Sequence, residues 1–315
     1  MSRSRHLVDP GLLPLLDAWP TVAITHDNLA DLRNRDLPFP EAEDCGVEWH
    51  ERQVQGPTGA PEVTIRIYRP RDASEPRGCI FHVHGGGFVG GSVKEFEFLH
   101  RPLAAMLDCV IVAVEYRLAP ETPFPGAIED CYAALAWTVG NAAEIGIDVS
   151  RIGVMGESAG GGLAAALTLL ARDRAEFLLA FQHLTYPMLD DRTCVRDPHP
   201  FAGEFVWPPA NNAFGWTALL GHEPGRENVS FYAAPSRATD LAGLPPTFIS
   251  TGALDLFVDE DIDYAQRLIR AGVPTEFHLW PGAFHGFDLM PAVAVSDAAR
   301  SASQAALQRF LKIRP

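Results

Sequence analysis

From Gly78 onward the chain alternates two patterns that belong to different secondary structures. The runs CIFHVH, CVIVAVEY, RIGVMG, FLLAFQHLTYP, PTFIST and PTEFHLW are short and largely apolar. Runs of this kind suit strands covered on both faces, as in a parallel sheet. Between them, EFEFLHRPLAAML, PGAIEDCYAALAWTV, SAGGGLAAALTLLARD, DEDIDYAQRLIRAG and SQAALQRFLK read as helices, and in the second of these Ile128, Cys131, Tyr132, Leu135 and Val139 share one face. Strand, helix and strand in repeated order imply βαβ units and a mostly parallel α/β sheet. Upstream, GVEWHERQV and EVTIRIYRP flank the turn QGPTGAP and predict a β-hairpin. With 315 residues, 47% of them hydrophobic, the chain is long enough for one large domain or a domain with an appendage.

Two segments stand outside the alternation. Residues 1 to about 45 are short amphipathic pieces, and roughly Asp190 to Gly243 separates two strands by far more than an ordinary connection. In the second, Phe201, Phe205, Trp207, Phe214 and Trp216 are expected to cover an apolar pocket.

The pentapeptide GESAG, Gly156 to Gly160, lies between the strand RIGVM and a helix of small residues. A G-x-S-x-G at such a junction forms a sharp turn that lifts the serine above the sheet edge, with small residues two before and two after it. Ser158 is therefore the candidate nucleophile, with Gly156 and Gly160 giving it room. A serine hydroxyl needs an imidazole to take its proton and a carboxylate to fix the imidazole tautomer. Chains with this elbow present them in the order serine, acid, histidine. Asp255 follows the strand PTFIS and His285 follows EFHLW, both where loops leave the carboxyl ends of parallel strands. Asp259, Glu260, Asp261 and Asp263 compete for the acid role but lie on the next helix, where acidic residues are ordinary dipole partners. His278 competes for the base but sits inside a strand pattern. The run HGGG, His84 to Gly87, explains itself against this background. Acyl transfer places negative charge on the former carbonyl oxygen, and bare backbone N–H groups of Gly85, Gly86 and Gly87, with that of Ala159, would stabilise it.

HGGG, GESAG, YRLAPETPFPGAIED (Tyr116 to Asp130) and HGF (His285 to Phe287) together make the chain resemble an esterase of the hormone-sensitive lipase family, among the bacterial carboxylesterases. The resemblance covers about Gly78 to the C-terminus. It implies an α/β-hydrolase fold with about eight strands, mostly parallel and flanked by helices. A helical cap would be built from residues 1–45 and an insertion at about 190–235 in a catalytic domain spanning 46–315. It further implies Ser158, Asp255 and His285 as the triad, an oxyanion hole from the HGGG glycines and Ala159, and hydrolysis of short- to medium-chain acyl esters without metal or organic cofactor. It also points to a homodimer through edge elements of the sheet, on which the residues are silent. The chain departs from the family at Glu157, where Asp or Thr is usual, at Leu256, which replaces Pro, and at Thr122, which replaces His. His84 and Glu157 are supporting residues on this reading.

Other readings have less behind them. His82 and His84 share one side of a strand and would suit a metal-dependent hydrolase, but no further ligand series accompanies them. A hormone receptor on the same fold would have its base histidine replaced, and His285 is present. An amidase or arylformamidase would use the same triad. The formal net charge of −15 argues against nucleic acid and anionic membranes as partners. The N-terminus has no signal-like apolar core and no apolar stretch is long enough to span a bilayer. Five widely spaced cysteines, Cys45, Cys79, Cys109, Cys131 and Cys194, fit free thiols in a reducing cytoplasm.

Overall fold

In the computed structural model, which describes residues 2–18, 21–35, 44–71 and 75–312, eight strands form one sheet in the order β1-β2-β4-β3-β5-β6-β7-β8. The chain begins with two short helices, α1 (Leu13–Ala18) and α2 (Leu29–Asn34), then enters the hairpin β1 (Val47–Val54) and β2 (Val63–Pro70). Next come β3 (Arg77–Val83), α3 (Glu97–Leu107), β4 (Val110–Glu115), α4 (Gly126–Gly140), the single turn α5 (Ala142–Ile145), β5 (Ile147–Glu157) and α6 (Ala159–Arg174). The remainder is β6 (Gln182–Thr185), α7 (Pro209–Leu220), β7 (Thr247–Gly252), α8 (Val258–Arg270), β8 (Thr275–Trp280) and α9 (Ala294–Lys312). β2 is antiparallel to both of its neighbours and every pairing from β4 to β8 is parallel, so only β2 runs against the rest.

The apolar runs lack polar alternation because both faces of the sheet are covered. On β4, Val110, Val112 and Val114 join the core built with α4, α6 and α8. Ile111 and Ala113 turn to the opposite core, built with α3 and α9. Element limits differ from the pattern in places. β6 is only four residues of FLLAFQHLTYP, and its far end is closed by Tyr186 at φ +34, a conformation that leaves the pleat. α9 starts at Ala294, well before SQAALQRFLK, and a 3-10 turn, Val93–Phe96, precedes α3.

The leading segment packs in two places, with residues 1, 19–20 and 36–43 outside the described residues. Val8, Leu12 and Leu15 bury against Tyr186, Leu254, Phe284, Phe287 and Val293. Leu29 of α2 packs with Val89, Ala119 and Ala218. This segment also bonds to the insertion between β6 and β7. The amides of Arg3 and Ser4 donate to Glu204, and Asn211 both accepts from the Ile24 amide and donates to the Val22 carbonyl. Of the five aromatic residues expected over a pocket, Trp207 lines one. Trp216 is instead fully buried against Phe88, Phe205 packs on Phe284, Phe214 on His26, and Phe201 is largely exposed.

Candidate active site

β5 ends at Glu157 and α6 starts at Ala159, leaving Ser158 alone at the turn with φ +57 and ψ −123. That is a strained conformation for a residue with a side chain, and the surroundings hold it. The Ser158 amide donates to the Thr185 carbonyl at 2.9 Å, and its carbonyl accepts from Gly162 and Met188. The flanking glycines are required by close approach. A Cβ on Gly156 would lie 2.3 Å from the Gly160 carbonyl oxygen, and one on Gly160 would lie 2.1 Å from that of Val83.

Asp255 and His285 reach this turn from the ends of β7 and β8. Ser158 Oγ stands 2.9 Å from His285 Nε2, and His285 Nδ1 stands 2.8 Å from Asp255 Oδ2. A carboxylate only accepts, so Nδ1 carries the proton and Nε2 offers its lone pair to the serine hydroxyl. The other Asp255 oxygen accepts from the Phe257 amide at 3.0 Å, and the whole side chain is buried. Tyr186, Phe257 and Trp207 surround the imidazole with ring centroids at 4.6, 5.3 and 6.4 Å. The competitors lie elsewhere in their contacts. His278 pairs with Glu276 and stacks on Trp280, while Glu260 accepts from Leu189, Asp190 and Thr193.

The glycine loop is held from behind. The carbonyl of His84 accepts from the Tyr116 hydroxyl at 2.8 Å, that of Gly85 from His84 Nδ1 at 2.8 Å, and that of Gly86 from the amides of Val89 and Gly90. In a planar trans peptide the following N–H points opposite to the carbonyl. Three successive anchored carbonyls therefore fix the N–H groups of Gly85, Gly86 and Gly87, and none of these donates to an acceptor among the described residues. Ala159 opens α6, so its amide has no carbonyl one turn earlier. Gly86, at φ +123, is closed to other residues by backbone as well, since a Cβ would meet the Gly90 oxygen at 2.1 Å. Gly87 abuts the Trp207 ring.

Beneath the loop, His82 and His84 take up separate duties. His82 Nε2 is 2.9 Å from Glu157 and its Nδ1 is 3.0 Å from His100 Nε2. His84 stacks on Tyr116, and burial lowers its pKa to about 4, so it is neutral and donates through Nδ1. Among the described residues no group of three His, Cys, Asp or Glu side chains could hold a metal ion. The five cysteines are free.

Beside the loop lies a pocket of about 220 Å³. Its walls include Gly85 and Gly86, the α2 side chains Leu29, Leu32 and Arg33, and Glu95, Phe96 and Trp207. Arg33 clamps α2 in place: its guanidinium donates to the carbonyls of Val89 and Ala119 and pairs with both oxygens of Glu121. Arg33, Glu95, Phe96 and His100 carry no motif of their own, and only their place in the fold reveals them; Tyr116 opens the run YRLAPETPFPGAIED, but its bond to the His84 carbonyl is visible only in the fold.

Comparison with known proteins agrees with this fold. A family model for the α/β-hydrolase fold matches residues 80–289. The chain is 35% identical over 314 residues to carboxylesterase NlhH of Mycobacterium tuberculosis, with 96% of each chain covered. It is 35% identical over 291 residues to esterase LipI of the same organism, covering 89% of this chain and 88% of the relative. Among solved structures, a bacterial heroin esterase superposes with a TM-score of 0.89 at 39% identity, covering 98% of this chain and 99% of that one. An elbow serine, a mostly parallel sheet of eight strands and relatives of this likeness over nearly the full chain lead to one conclusion: the chain belongs to the hormone-sensitive lipase-type carboxylesterases of the α/β-hydrolase family, and it is a carboxylic ester hydrolase.

Proposed function

We propose that the protein is a serine carboxylesterase that cleaves short- to medium-chain acyl esters through an acyl-enzyme intermediate. The observation that carries this reading is the unbroken chain Asp255–His285–Ser158 at a strained elbow. Ser158 Oγ attacks the ester carbonyl while His285 Nε2 takes its proton, and Asp255 holds the ring and balances the imidazolium. The oxyanion of the tetrahedral intermediate takes hydrogen bonds from Ala159 and from the glycine loop, through Gly86 with Gly85 or Gly87. Collapse expels the alcohol, which leaves with the proton from His285. Water, activated by the same imidazole, then attacks the acyl-enzyme, and the acid departs.

His84 and Glu157 support the site without touching substrate, the first by fixing the Gly85 carbonyl and the second by tying the elbow to β3 through His82. Residues 1–45 and about 190–235 form the two parts of a cap over the 46–315 catalytic domain, a division supported by their mutual bonds through Glu204 and Asn211. The five free thiols suit a reducing compartment such as the cytoplasm. Among the described residues no helix is long and apolar enough to cross a membrane.

A series of p-nitrophenyl esters from acetate to palmitate, read beside an anilide and a formamide, tests the reading. Activity peaks at short to medium acyl chains and exceeds that on the amides. Ser158→Ala keeps the fold and lowers kcat by at least about 10³-fold. Near-normal butyrate hydrolysis by that variant refutes the assignment.

A further inference from the structure

The pocket beside the glycine loop is mostly apolar, yet one carboxylate on its wall has no ion-pair partner. Glu95 sits on the 3-10 turn before α3, next to Phe96, and both side chains line the cavity that Gly85 and Gly86 close on the other side. Its polar contacts are with Ser92, whose hydroxyl donates to Glu95 Oε1 at 3.3 Å and accepts from the Glu95 amide at 3.4 Å. No basic group lies within 4.0 Å of the carboxylate among the described residues. Burial pushes its pKa up, against the Ser92 hydroxyl and the field of Arg35. The carboxylate is therefore incompletely solvated and incompletely paired, the condition in which a positive charge brought into the pocket gains most.

The pocket's two cations compete unequally with such a guest. Arg33 is committed to Glu121 and to the carbonyls of Val89 and Ala119. Arg35 is exposed, where solvent screens its charge. A second carboxylate, outside the pocket lining, lies close enough for its field to couple to that of Glu95. Glu115, bonded to the Val93 amide, has a pKa raised chiefly by burial and further by Glu95. Phe96, whose ring packs near those of His82 and His84, adds aromatic surface to the wall, and aromatic rings attract cations. The net charge of −15 favours cations in the approach as well.

From this arrangement we infer that the pocket selects esters carrying a protonated amine, with Glu95 as the specificity-determining residue that receives the ammonium group. The inference rests on the esterase reading of Ser158 and adds the substrate class. Because Gly85 and Gly86 wall the cavity, it receives whichever arm of the ester projects past the oxyanion loop, so the test carries an amine on either arm.

Two isosteric pairs supply the probe. In the alcohol pair, 2-(dimethylamino)ethyl butyrate is compared with 3-methylbutyl butyrate. In the acyl pair, p-nitrophenyl 4-(dimethylamino)butyrate is compared with p-nitrophenyl 5-methylhexanoate. Each pair differs by a protonated nitrogen in place of a CH. The readout is the ratio of kcat/KM, cationic over neutral, so absolute rates do not enter. In the native enzyme the ratio favours the amine for one pair. In Glu95→Gln, which keeps the amide bonded to Ser92, that ratio falls roughly tenfold, the size expected for a charge-assisted contact at a half-buried site. In Arg35→Ala, which removes the competing charge, it rises. Equal ratios in native enzyme and Glu95→Gln for both pairs overturn the inference while leaving the esterase reading intact. Failure to hydrolyse either neutral ester overturns both.

Discussion

Replacing Gly86 by alanine puts the glycine loop to the strictest test. Gly86 has φ +123, outside the regions open to L side chains, and an added Cβ would sit 2.1 Å from the Gly90 carbonyl oxygen and 2.4 Å from its carbon. Both atoms are backbone, so no side-chain rotation relieves the clash. The turn that gives way is the one in which the Gly86 carbonyl accepts from Val89 at 3.1 Å and Gly90 at 2.9 Å. Once it shifts, the N–H groups of Gly86 and Gly87 lose their fixed direction. The loss of one oxyanion donor costs roughly 10²- to 10³-fold in kcat, or about 3 to 4 kcal/mol of transition-state stabilisation. Because this bond strengthens only as charge develops, kcat falls and KM changes little. The assay is steady-state hydrolysis of p-nitrophenyl butyrate, with a thermal melt on the same sample. Gly272→Ala is the control, since Gly272 also has positive φ, +80, but an added Cβ there meets nothing within 4 Å. It costs about 1 kcal/mol of backbone strain and leaves the rate unchanged. A Gly86→Ala enzyme within threefold of native kcat would refute the oxyanion role.

Arg33→Ala removes the clamp between α2 and the glycine loop, leaving the Val89 and Ala119 carbonyls without its hydrogen bonds. KM for p-nitrophenyl butyrate should rise severalfold with a smaller change in kcat, and the opposite split would show that the clamp shapes the catalytic atoms instead. His183, fully buried against Phe248, has its pKa lowered to about 3, chiefly by burial. Below pH of about 6.5 the unfolded chain takes up a proton that the native state refuses, so stability is lost as pH falls through that value and continues to fall until about pH 3. At about 1.4 kcal/mol per pH unit, the native protein should lose about 2 kcal/mol more than His183→Phe between pH 6.5 and 5 in urea melts, and parallel curves would contradict this. Prolonged treatment with EDTA should leave ester hydrolysis unchanged, and a loss restored by a divalent metal would revive the metal reading of His82 and His84.

Much of the site was legible because its parts are local. GESAG names both the candidate nucleophile and the reason for its neighbours, since the steric demand of the elbow acts within five consecutive residues. Asp255 and His285 were placed by rule, one loop beyond each of two apolar strands, and the parallel order of β5 to β8 brings those loops together. HGGG announced a need for bare backbone. The resemblance added the expectation of a cap and of a substrate range, which no periodicity could supply.

What the sequence determined by itself is therefore the alternation of strands and helices, the candidate triad Ser158, Asp255 and His285, and the candidate oxyanion amides of the glycine loop and Ala159. These follow from short-range rules, namely hydrophobic period, elbow sterics and the position of loops at strand ends. Tertiary structure alone decided that Trp207, and not Trp216, borders the pocket, and that His82 serves Glu157 and His100. It also decided that Arg33, 56 positions from Val89 in the chain, pins α2 to the glycine loop, and that Glu95 stands unpaired on the pocket wall. Each of those facts depends on distances between residues remote in sequence. Such distances are set by how helices dock on the two faces of the sheet, and a pattern read along one chain carries no term for them.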